Sequence, residues 1–221
     1  CFLMRNKFFK TSSEKIISFS LGSRFNDDEI LQEIQNKNLS YEKPSNFSES
    51  VANLINAKKI IGWFQGGAEF GPRALGNRSI LAAPFPESMR DHINNRVKFR
   101  EEFRPFAPAI IADEAKDYFH IRQESPFMLM ATKVKEDKKN TIPAVIHIDN
   151  SARVQTVTKE NNDKFYSLLK AYKKITGVPV LLNTSFNVKG QPIVNNPTNA
   201  IDTFLNTNID VLAIGSYIIK K

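Results

Sequence analysis

The sequence has 221 residues, a formal net charge of +8 at neutral pH and 41% hydrophobic residues, which is typical of a globular protein of one or two domains. No uncharged apolar run approaches the roughly 20 residues that a membrane helix requires, so we predict no membrane span. The single cysteine, Cys1, excludes an intrachain disulfide and a multi-cysteine zinc site and favours a reducing compartment, so we predict a cytoplasmic location.

The amino-terminal segment carries no signal-peptide pattern, because basic residues interrupt its apolar run and no small-residue cleavage site follows. It does not begin with methionine, which indicates a start inside a longer protein. Residues 1–45 are polar, and an acidic run at 27–29 predicts a short helix to about residue 35. We interpret 1–45 as a linker, the remnant of a junction with a missing N-terminal domain, and 46–221 as the folded domain.

Strand and helix patterns alternate through the rest of the chain. Helices are predicted for 48–56, 87–97, 113–119, 162–175 and 197–205, and strands for 59–64, 80–83, 108–112, 127–134, 145–148, 154–157, 178–182 and, as a pair or one bent strand, 211–219. This order predicts an α/β (α+β) fold with an open, twisted, mixed sheet of about six or seven strands and flanking helices.

Arginine is concentrated in one part of the chain. Six of the ten arginines fall between positions 73 and 104, together with only one of the 21 lysines, Lys98. The planar guanidinium group suits bidentate binding of phosphate or carboxylate and stays charged when partly buried. Glu101 and Glu102 lie among these bases, so a solvated helix with ion pairs is an alternative that the charge pattern alone leaves open.

A glycine-rich segment, QGGAEFGPRALGNRS at 65–79, directly follows the first predicted strand and contains Arg73 and Arg78. Glycines permit close approach of a ligand to the backbone, and free N–H groups bind anions. The sequence contains neither a Walker loop nor a helix-opening dinucleotide fingerprint, so any nucleotide is held by another arrangement. Because of its two arginines, we favour anion binding over a simple turn between strands.

A second segment, NRVKFREEFRPFAP at 95–108, leads from a predicted helix into a strand. Its Lys98 and Arg104 are spaced to reach one cleft, and the following Pro105 and Pro108 stiffen the chain and lower the entropy lost on gripping a ligand. The phenylalanines between the bases are more typical of a core than of a surface for stacking nucleic-acid bases.

A third segment, HIDNSARVQ at 147–155, offers an isolated arginine, Arg153. Its His147 and Asp149 lie two apart, so on a strand they would share a face, but two residues are too few to indicate a metal site. His92 and His120 also lack ligand spacing, so we predict no metal site in this chain.

A fourth segment, LNTSFNVKGQPIV at 182–194, follows the clearest buried strand. Asn183, Ser185 and Asn187 supply short donors and acceptors that suit a ribose, an amide or a phosphate oxygen, at the kind of strand end where open α/β sheets bind ligands. Ser185 is not predicted to be a nucleophile, because no nucleophile motif or paired base accompanies it.

In this order, the strings GGAEFGPRALGNRSIL, KFREEFRPFAPA, HIDNSARVQTV and LLNTSFNVKGQPIV resemble the C-terminal domain of the bacterial O-carbamoyltransferases, which include nodulation-factor, tobramycin and cephamycin carbamoyltransferases. The resemblance extends from about residue 47 to 221, and LGSRFNDDEI at 21–30 is similar to the junction between that family's two domains. It implies the fold of the threonylcarbamoyl-AMP synthases, with a positively charged cleft.

The resemblance also implies a reaction and the residues that carry it. The family domain takes ATP and carbamoyl phosphate, forms carbamoyl-adenylate and releases pyrophosphate, with Mg²⁺ on the ATP phosphates. A separate N-terminal, metal-containing domain then passes the carbamoyl group to an acceptor hydroxyl. By position, the implied binding residues are Arg73, Arg78, Lys98, Arg104, Arg153, Asn183, Ser185 and Asn187, and those implied as catalytic are Arg73, Lys98 and Arg104.

Two other classes of function remain as alternatives. A basic nucleic-acid-binding module of the same fold would bind RNA with a steep salt dependence and without ATP. A non-catalytic remnant would bind nucleotide only. We rank both below the enzyme, because the arginines of the four motifs and Ser185 are all retained.

Overall fold

The computed structural model describes residues 20–99, 101 and 104–221, so part of the predicted junction, residues 1–19, lies outside the described chain. The strands are β1 (Ile61–Phe64), β2 (Arg78–Ala82), β3 (Ala107–Ile111), β4 (Met130–Lys133), β5 (Ser151–Val157), β6 (Val180–Ser185), β7 (Val211–Ile214) and β8 (Tyr217–Lys220). They form one eight-stranded sheet in the order β4-β5-β3-β6-β2-β1-β7-β8.

Helices flank this sheet. They are α1 (Asp27–Asn36), α2 (Phe47–Asn56), α3 (Ser88–Ile93), α4 (Ala115–Tyr118), α5 (Asp163–Thr176) and α6 (Pro197–Leu205). A π-helical turn (Asn94–Lys98) continues α3, and short 3₁₀ turns are formed by Ala112–Glu114, Glu136–Thr141 and Pro143–Val145. The predicted fold class, an open mixed α/β sheet with flanking helices, is confirmed, with eight strands instead of six or seven.

The strand predicted at 145–148 is wrong. Pro143 opens a 3₁₀ turn that ends at Val145, and the chain then reverses direction. The backbone N–H of His147 donates to the carbonyl of Ser151 at 2.8 Å, which closes the turn before β5. The fixed φ of proline suits the start of such a turn, and this outweighs the β-branched residues that suggested a strand.

The sheet is mixed, since β1 runs parallel to β7 and β3 parallel to β5, while the other neighbouring pairs are antiparallel. The carboxyl ends of β1, β6 and β7 therefore lie at the same end of the sheet as the amino ends of β2, β3 and β5. We call this end, where the strands terminate, the site edge, because all four motifs found in the sequence meet there.

Successive side chains along each strand point to opposite sides of the sheet, which gives the sheet two faces. Trp63, Ser79 and Ser185 are register partners across β1, β2 and β6, so their side chains share one face, which we call face one. The ring of Phe47 in α2 lies 5.8 Å from that of Trp63, and α2 packs against α5, so these two helices cover face one. Phe64 and Arg78, one position along, point to the opposite face.

The described part of residues 20–45 packs into the same core as the rest of the chain. Asn26 and Glu29 form a reciprocal capping box at the start of α1, at 2.9 and 2.7 Å. One turn apart on that helix, Ile30 and Ile34 are buried in the main hydrophobic cluster. The predicted domain boundary at residue 45 thus falls within a continuous core, and a junction with a preceding domain stays a prediction. Among the described residues, no helix has the length and apolar character to cross a bilayer.

Candidate anion-binding site

A half-buried carboxylate, that of Glu69, organises the glycine-rich loop, which we define as residues 65–77. Oε1 of Glu69 accepts hydrogen bonds from the backbone N–H groups of Leu75 at 2.7 Å, Asn77 at 2.8 Å and Arg78 at 3.2 Å. Three donors that an anionic ligand could use are therefore already occupied from within the loop. The sequence analysis missed Glu69, although its position as the only carboxylate among these glycines was a signal.

Two amide side chains of face one tie this loop to the sheet. Asn183 donates to the carbonyl of Ala74 at 3.2 Å and to Oε1 of Gln155 at 2.8 Å, and Gln155 donates to the carbonyl of Leu75 at 2.8 Å. Asn183 is buried, and its Oδ1 has no hydrogen-bond partner among the described residues. The predicted ligand-binding residue Asn183 thus holds the loop, together with Gln155, which the sequence analysis did not single out.

Gly76 packs closely against α5, which covers the glycine-rich loop. Its φ is +99°, and a Cβ at this position would lie 2.2 Å from Cδ1 of Phe165 in α5. Its carbonyl also accepts a hydrogen bond from the indole N–H of Trp63 at 2.8 Å. Only glycine satisfies both the backbone conformation and the close approach.

We therefore expect Gly76→Ala to lower the free energy of unfolding by about 2–4 kcal/mol, from overpacking and backbone strain together. Urea unfolding measures this change. Gly71→Ala is the matched control, because Gly71 lies in the same loop at positive φ but a Cβ there meets no atom within 4 Å. Equal losses for the two variants would show that the contact with Phe165 is unimportant.

Arg78 is fully buried beneath the glycine-rich loop, on the face opposite to face one. Its Nη1 and Nη2 groups donate to the backbone carbonyls of Gln65 (2.7 Å), Gly66 (3.3 Å), Asn77 (3.2 Å) and Ser23 (2.9 Å). The guanidinium carbon lies 3.6 Å from the ring centroid of Phe64. Burial lowers the pKa of Arg78 to about 10, an effect that the Glu69 carboxylate opposes. The side chain is directed at the loop backbone and away from the cleft for which it was predicted.

Arg73 and Arg153 lie near enough to each other at the site edge for their charges to interact. Arg153 lies on β5, two positions before Gln155 and on face one, and Arg73 is exposed on the glycine-rich loop. Burial, and then repulsion from Arg73, lower the pKa of Arg153. Among the described residues, neither guanidinium has an ion-pair partner, and Nε of Arg153 has no hydrogen-bond partner. Two like charges near each other without a carboxylate partner create a positive potential, which attracts anions.

Lys98, Ser185 and Asn187 are brought together by the structure. The π-helical turn and the left-handed Phe99 that follows it, at φ 48°, direct the buried Lys98 across to the end of β6. Its Nζ lies 3.2 Å from Oγ of Ser185 and 2.9 Å from both Oδ1 and the carbonyl of Asn187, and it also donates to the carbonyl of Ser185. Ser185 Oγ donates to Asn187 Oδ1 at 2.7 Å. π-Turns of this kind are frequent at functional sites.

Arg104 stands apart from this cluster. It is exposed just before β3, and its Nε forms an ion pair with Glu101 at 2.9 Å. In the described part of the chain, no hydrogen bond joins Arg104 to Lys98 or Arg153. An exposed ion pair of this type contributes little free energy and exchanges readily for another anion.

A cavity of about 660 Å³ opens beside the Lys98 cluster, between the 188–194 segment and α6. Phe99, Val188 and Pro192 line its apolar wall, and Asn199 and Asp202 line the wall formed by the helix. No group of three or more His, Cys, Asp or Glu side chains that could hold a metal ion occurs in the residues that the structure describes. The site edge is therefore rich in cations and amides rather than in metal ligands.

The fold and the site define an α/β domain with cationic side chains gathered at one end of its sheet. The sequence model of the family described as carbamoyltransferase C-terminus matches residues 52–221. This chain belongs to that family, as its four motifs predicted.

Relatives from several organisms share this domain. The chain is 47% identical over 186 residues to nodulation protein NolNO of Sinorhizobium fredii, covering 83% of this chain and 27% of that protein. It is 42% identical to nodulation protein NolO of Bradyrhizobium diazoefficiens, covering 83% and 34%, and 42% identical to an uncharacterized protein of Methanocaldococcus jannaschii, covering 88% and 38%. The chain thus spans between about a quarter and two fifths of the length of these relatives.

Two solved structures share the fold. A full-length HypF in its phosphate- and nucleotide-bound form superposes with a TM-score of 0.50 at 17% identity, over 82% of this chain and 25% of that one. HypF of T. kodakarensis superposes with a TM-score of 0.53 at 18% identity, over 78% of this chain and 24% of that one. At these identities the likeness establishes the architecture of the sheet and its helices.

Proposed function

We propose that this chain is the carbamoyl-activating domain of an O-carbamoyltransferase, which forms carbamoyl-adenylate from ATP and carbamoyl phosphate. The observation that carries the proposal is the pair Arg73 and Arg153, two guanidinium groups whose charges interact and which form no ion pair with a carboxylate among the described residues. The cluster of Lys98, Ser185 and Asn187 lies at the same sheet edge. Family membership supports the carbamoyl chemistry.

The proposed reaction has two bond exchanges. Water cleaves carbamoyl phosphate into carbamate and phosphate, and a carbamate oxygen then attacks the α-phosphorus of ATP as the bond to pyrophosphate breaks. The attacking oxygen is already anionic, so this step needs no general base. The requirement is instead to hold two polyanions together and to stabilise charge on the departing pyrophosphate, which positioned cations achieve.

Each predicted residue has a place in this proposal. Arg73, Arg153 and Arg104 would bind the phosphates, with Arg104 exchanging its partner Glu101 for the ligand. Lys98 would present Ser185 and Asn187 to the nucleotide phosphate or the carbamoyl group. Arg78 and Asn183 are proposed as positioning residues, because their side chains donate hydrogen bonds to the glycine-rich loop, to Gln155 and to Ser23.

Mg²⁺ would be brought by the nucleotide, coordinated by its phosphates. This is supported by the composition of the site edge, where arginine, lysine and amide side chains are present and no cluster of three metal ligands occurs among the described residues. Bound there, Mg²⁺ would neutralise phosphate charge. We also propose that the complete protein contains an N-terminal domain that transfers the carbamoyl group to a hydroxyl acceptor, since the relatives are about three times as long.

The test is calorimetric titration of the purified chain with ATP and Mg²⁺, with and without carbamoyl phosphate, coupled to measurement of released pyrophosphate. We expect ATP binding, and pyrophosphate release only when carbamoyl phosphate is present. Binding without turnover would mean that another domain completes the site. Absence of ATP binding, with salt-dependent RNA binding in its place, would contradict the proposal and favour a nucleic-acid-binding module.

A further inference from the structure

A chain of three polar side chains lies at the amino end of β5, next to Arg153 but outside the predicted site. Oγ of Ser151 lies 2.6 Å from Oδ1 of Asp149 and 3.2 Å from Nδ1 of His147. Ser151 and Arg153 are two apart on the strand, so both point to face one. His147 is therefore held near Arg153 by its contact with Ser151.

The positions of the protons in this chain follow from the distances. Hydrogen bonds to Ser151 and the nearby Lys133 hold the pKa of Asp149 at about 2, so the carboxylate is ionised and only accepts. Because Ser151 has one hydroxyl proton, and that proton lies toward the carboxylate at 2.6 Å, its oxygen can only accept from His147. Nδ1 of His147 must then carry the ring proton and donate it to Oγ of Ser151.

The other ring nitrogen, Nε2, is left as a hydrogen-bond acceptor. Burial, and repulsion from Arg153, lower the pKa of His147, while Asp149 acts in the opposite direction, so the ring is neutral at pH 7. Nε2 has no partner among the described residues, and the ring lines a cavity of about 440 Å³ together with Arg90, Pro105 and the carboxylates of Asp91 and Asp149. The guanidinium groups of Arg153 and Arg73, proposed above to hold the phosphate, only donate hydrogen bonds, so recognition of an N–H group requires a separate acceptor.

A substrate with N–H groups would supply the missing donor. Carbamoyl phosphate carries an amide nitrogen with two N–H groups, whereas acetyl phosphate, which has almost the same shape and charge, carries a methyl group at that position. We propose that His147 Nε2 accepts a hydrogen bond from the carbamoyl nitrogen and thereby selects carbamoyl phosphate over acetyl phosphate. This inference rests on the function proposed above.

The first test compares the affinities of carbamoyl phosphate, acetyl phosphate and inorganic phosphate for the wild-type chain and two variants. His147→Phe keeps the ring volume but removes the acceptor, and we expect it to weaken carbamoyl phosphate binding about 10–100-fold while leaving the other two unchanged. His147→Gln, whose amide oxygen can accept, is expected to restore part of the difference. An unchanged carbamoyl-to-acetyl ratio in His147→Phe would overturn the inference alone, whereas absence of carbamoyl phosphate binding by the wild type would overturn the proposed function with it.

The second test reads the tautomer directly and does not depend on activity. Long-range proton–nitrogen correlation spectra of ¹⁵N-labelled protein at pH 7 should show His147 neutral and protonated on Nδ1. Ser151→Ala removes the hydroxyl that fixes this form, so a mixture of tautomers is expected. A wild-type ring protonated on Nε2 would overturn the inference, because Nε2 could then not accept.

Discussion

Arg78→Met is expected to lower the free energy of unfolding by about 3–5 kcal/mol, because it leaves the backbone carbonyls of Gln65, Gly66, Asn77 and Ser23 without their charged donor. Methionine fills a similar volume, so the loss reports on the hydrogen bonds rather than on a cavity. Arg78→Lys should recover little, since a single ammonium group cannot reach carbonyls on both sides of the fork. Chemical unfolding followed by circular dichroism measures both variants.

Arg90→Met provides the comparison. Arg90 also has acidic partners, Glu87 at 3.3 Å and Asp91 at 3.2 Å, but these are partly exposed ion pairs, for which we expect a loss of at most about 1 kcal/mol. The structural assignment of Arg78 is contradicted if Arg78→Met unfolds like the wild type and loses phosphate binding instead. That result would restore the direct phosphate contact predicted from the sequence.

Arg153→Met and Arg73→Met should each reduce carbamoyl-phosphate-dependent pyrophosphate release by about 10²–10³-fold, the usual cost of removing one charged contact to a transition state. The fold should persist, because Arg73 is exposed and the two side chains repel each other in the free protein. Removing either cation relieves that repulsion, so the free energy of unfolding should be unchanged or slightly higher. The activity and the stability thus move in opposite directions, which a loss of packing would not produce.

Arg96→Met is the control for this pair. Arg96 is also an exposed arginine of the basic stretch, but it lines a cavity with Asp210 and Val211 at the other edge of the sheet. It should release pyrophosphate at the wild-type rate. Full activity of Arg153→Met would mean that this cation is not needed for the reaction. Equal losses in Arg96→Met would mean that the position of the charge at the site edge does not matter.

The sequence predicted the helices and most strands because their signals are local. Asn162 before α5 and Gly177 after it are typical cap residues, and the structure places that helix within one residue of the prediction. The convergence of the four motifs was also predictable in outline, since each follows or precedes a strand of a mixed sheet. Predicting the strands also predicts where each strand ends, and ligand-binding residues of open α/β sheets cluster at strand ends.

The direction of individual side chains was not predictable in the same way. The strand was expected to begin at Ile80, but β2 begins at Arg78, so Arg78 and Ile80 share a face and Ser79 takes the other. Which face is open at the site edge depends on pairing with β6, a strand about one hundred residues later. Arg78 and Arg73 therefore look equivalent in the sequence, yet one lies under the loop and the other is exposed.

The same non-local pairing explains why two contacts between the motifs were not predicted. Gln155 gains its partner Asn183 only because β5 and β6 lie on either side of β3. Lys98 reaches Ser185 only through a π-helical turn, which no residue pattern in that segment indicated. Both contacts join motifs that are remote in the chain, and the sheet order is needed to connect them.

The carboxylate of Glu69 has a consequence for the thermodynamics of binding. In many phosphate-binding loops the ligand supplies the negative charge that gathers the backbone N–H groups, so the loop becomes ordered as the ligand arrives. Here an internal side chain already does this for three N–H groups. The loop therefore holds its conformation, with Arg73 exposed, before any ligand is present. Binding of the proposed anionic substrates would then cost little conformational entropy in the glycine-rich loop, and more of the contact free energy would remain as affinity.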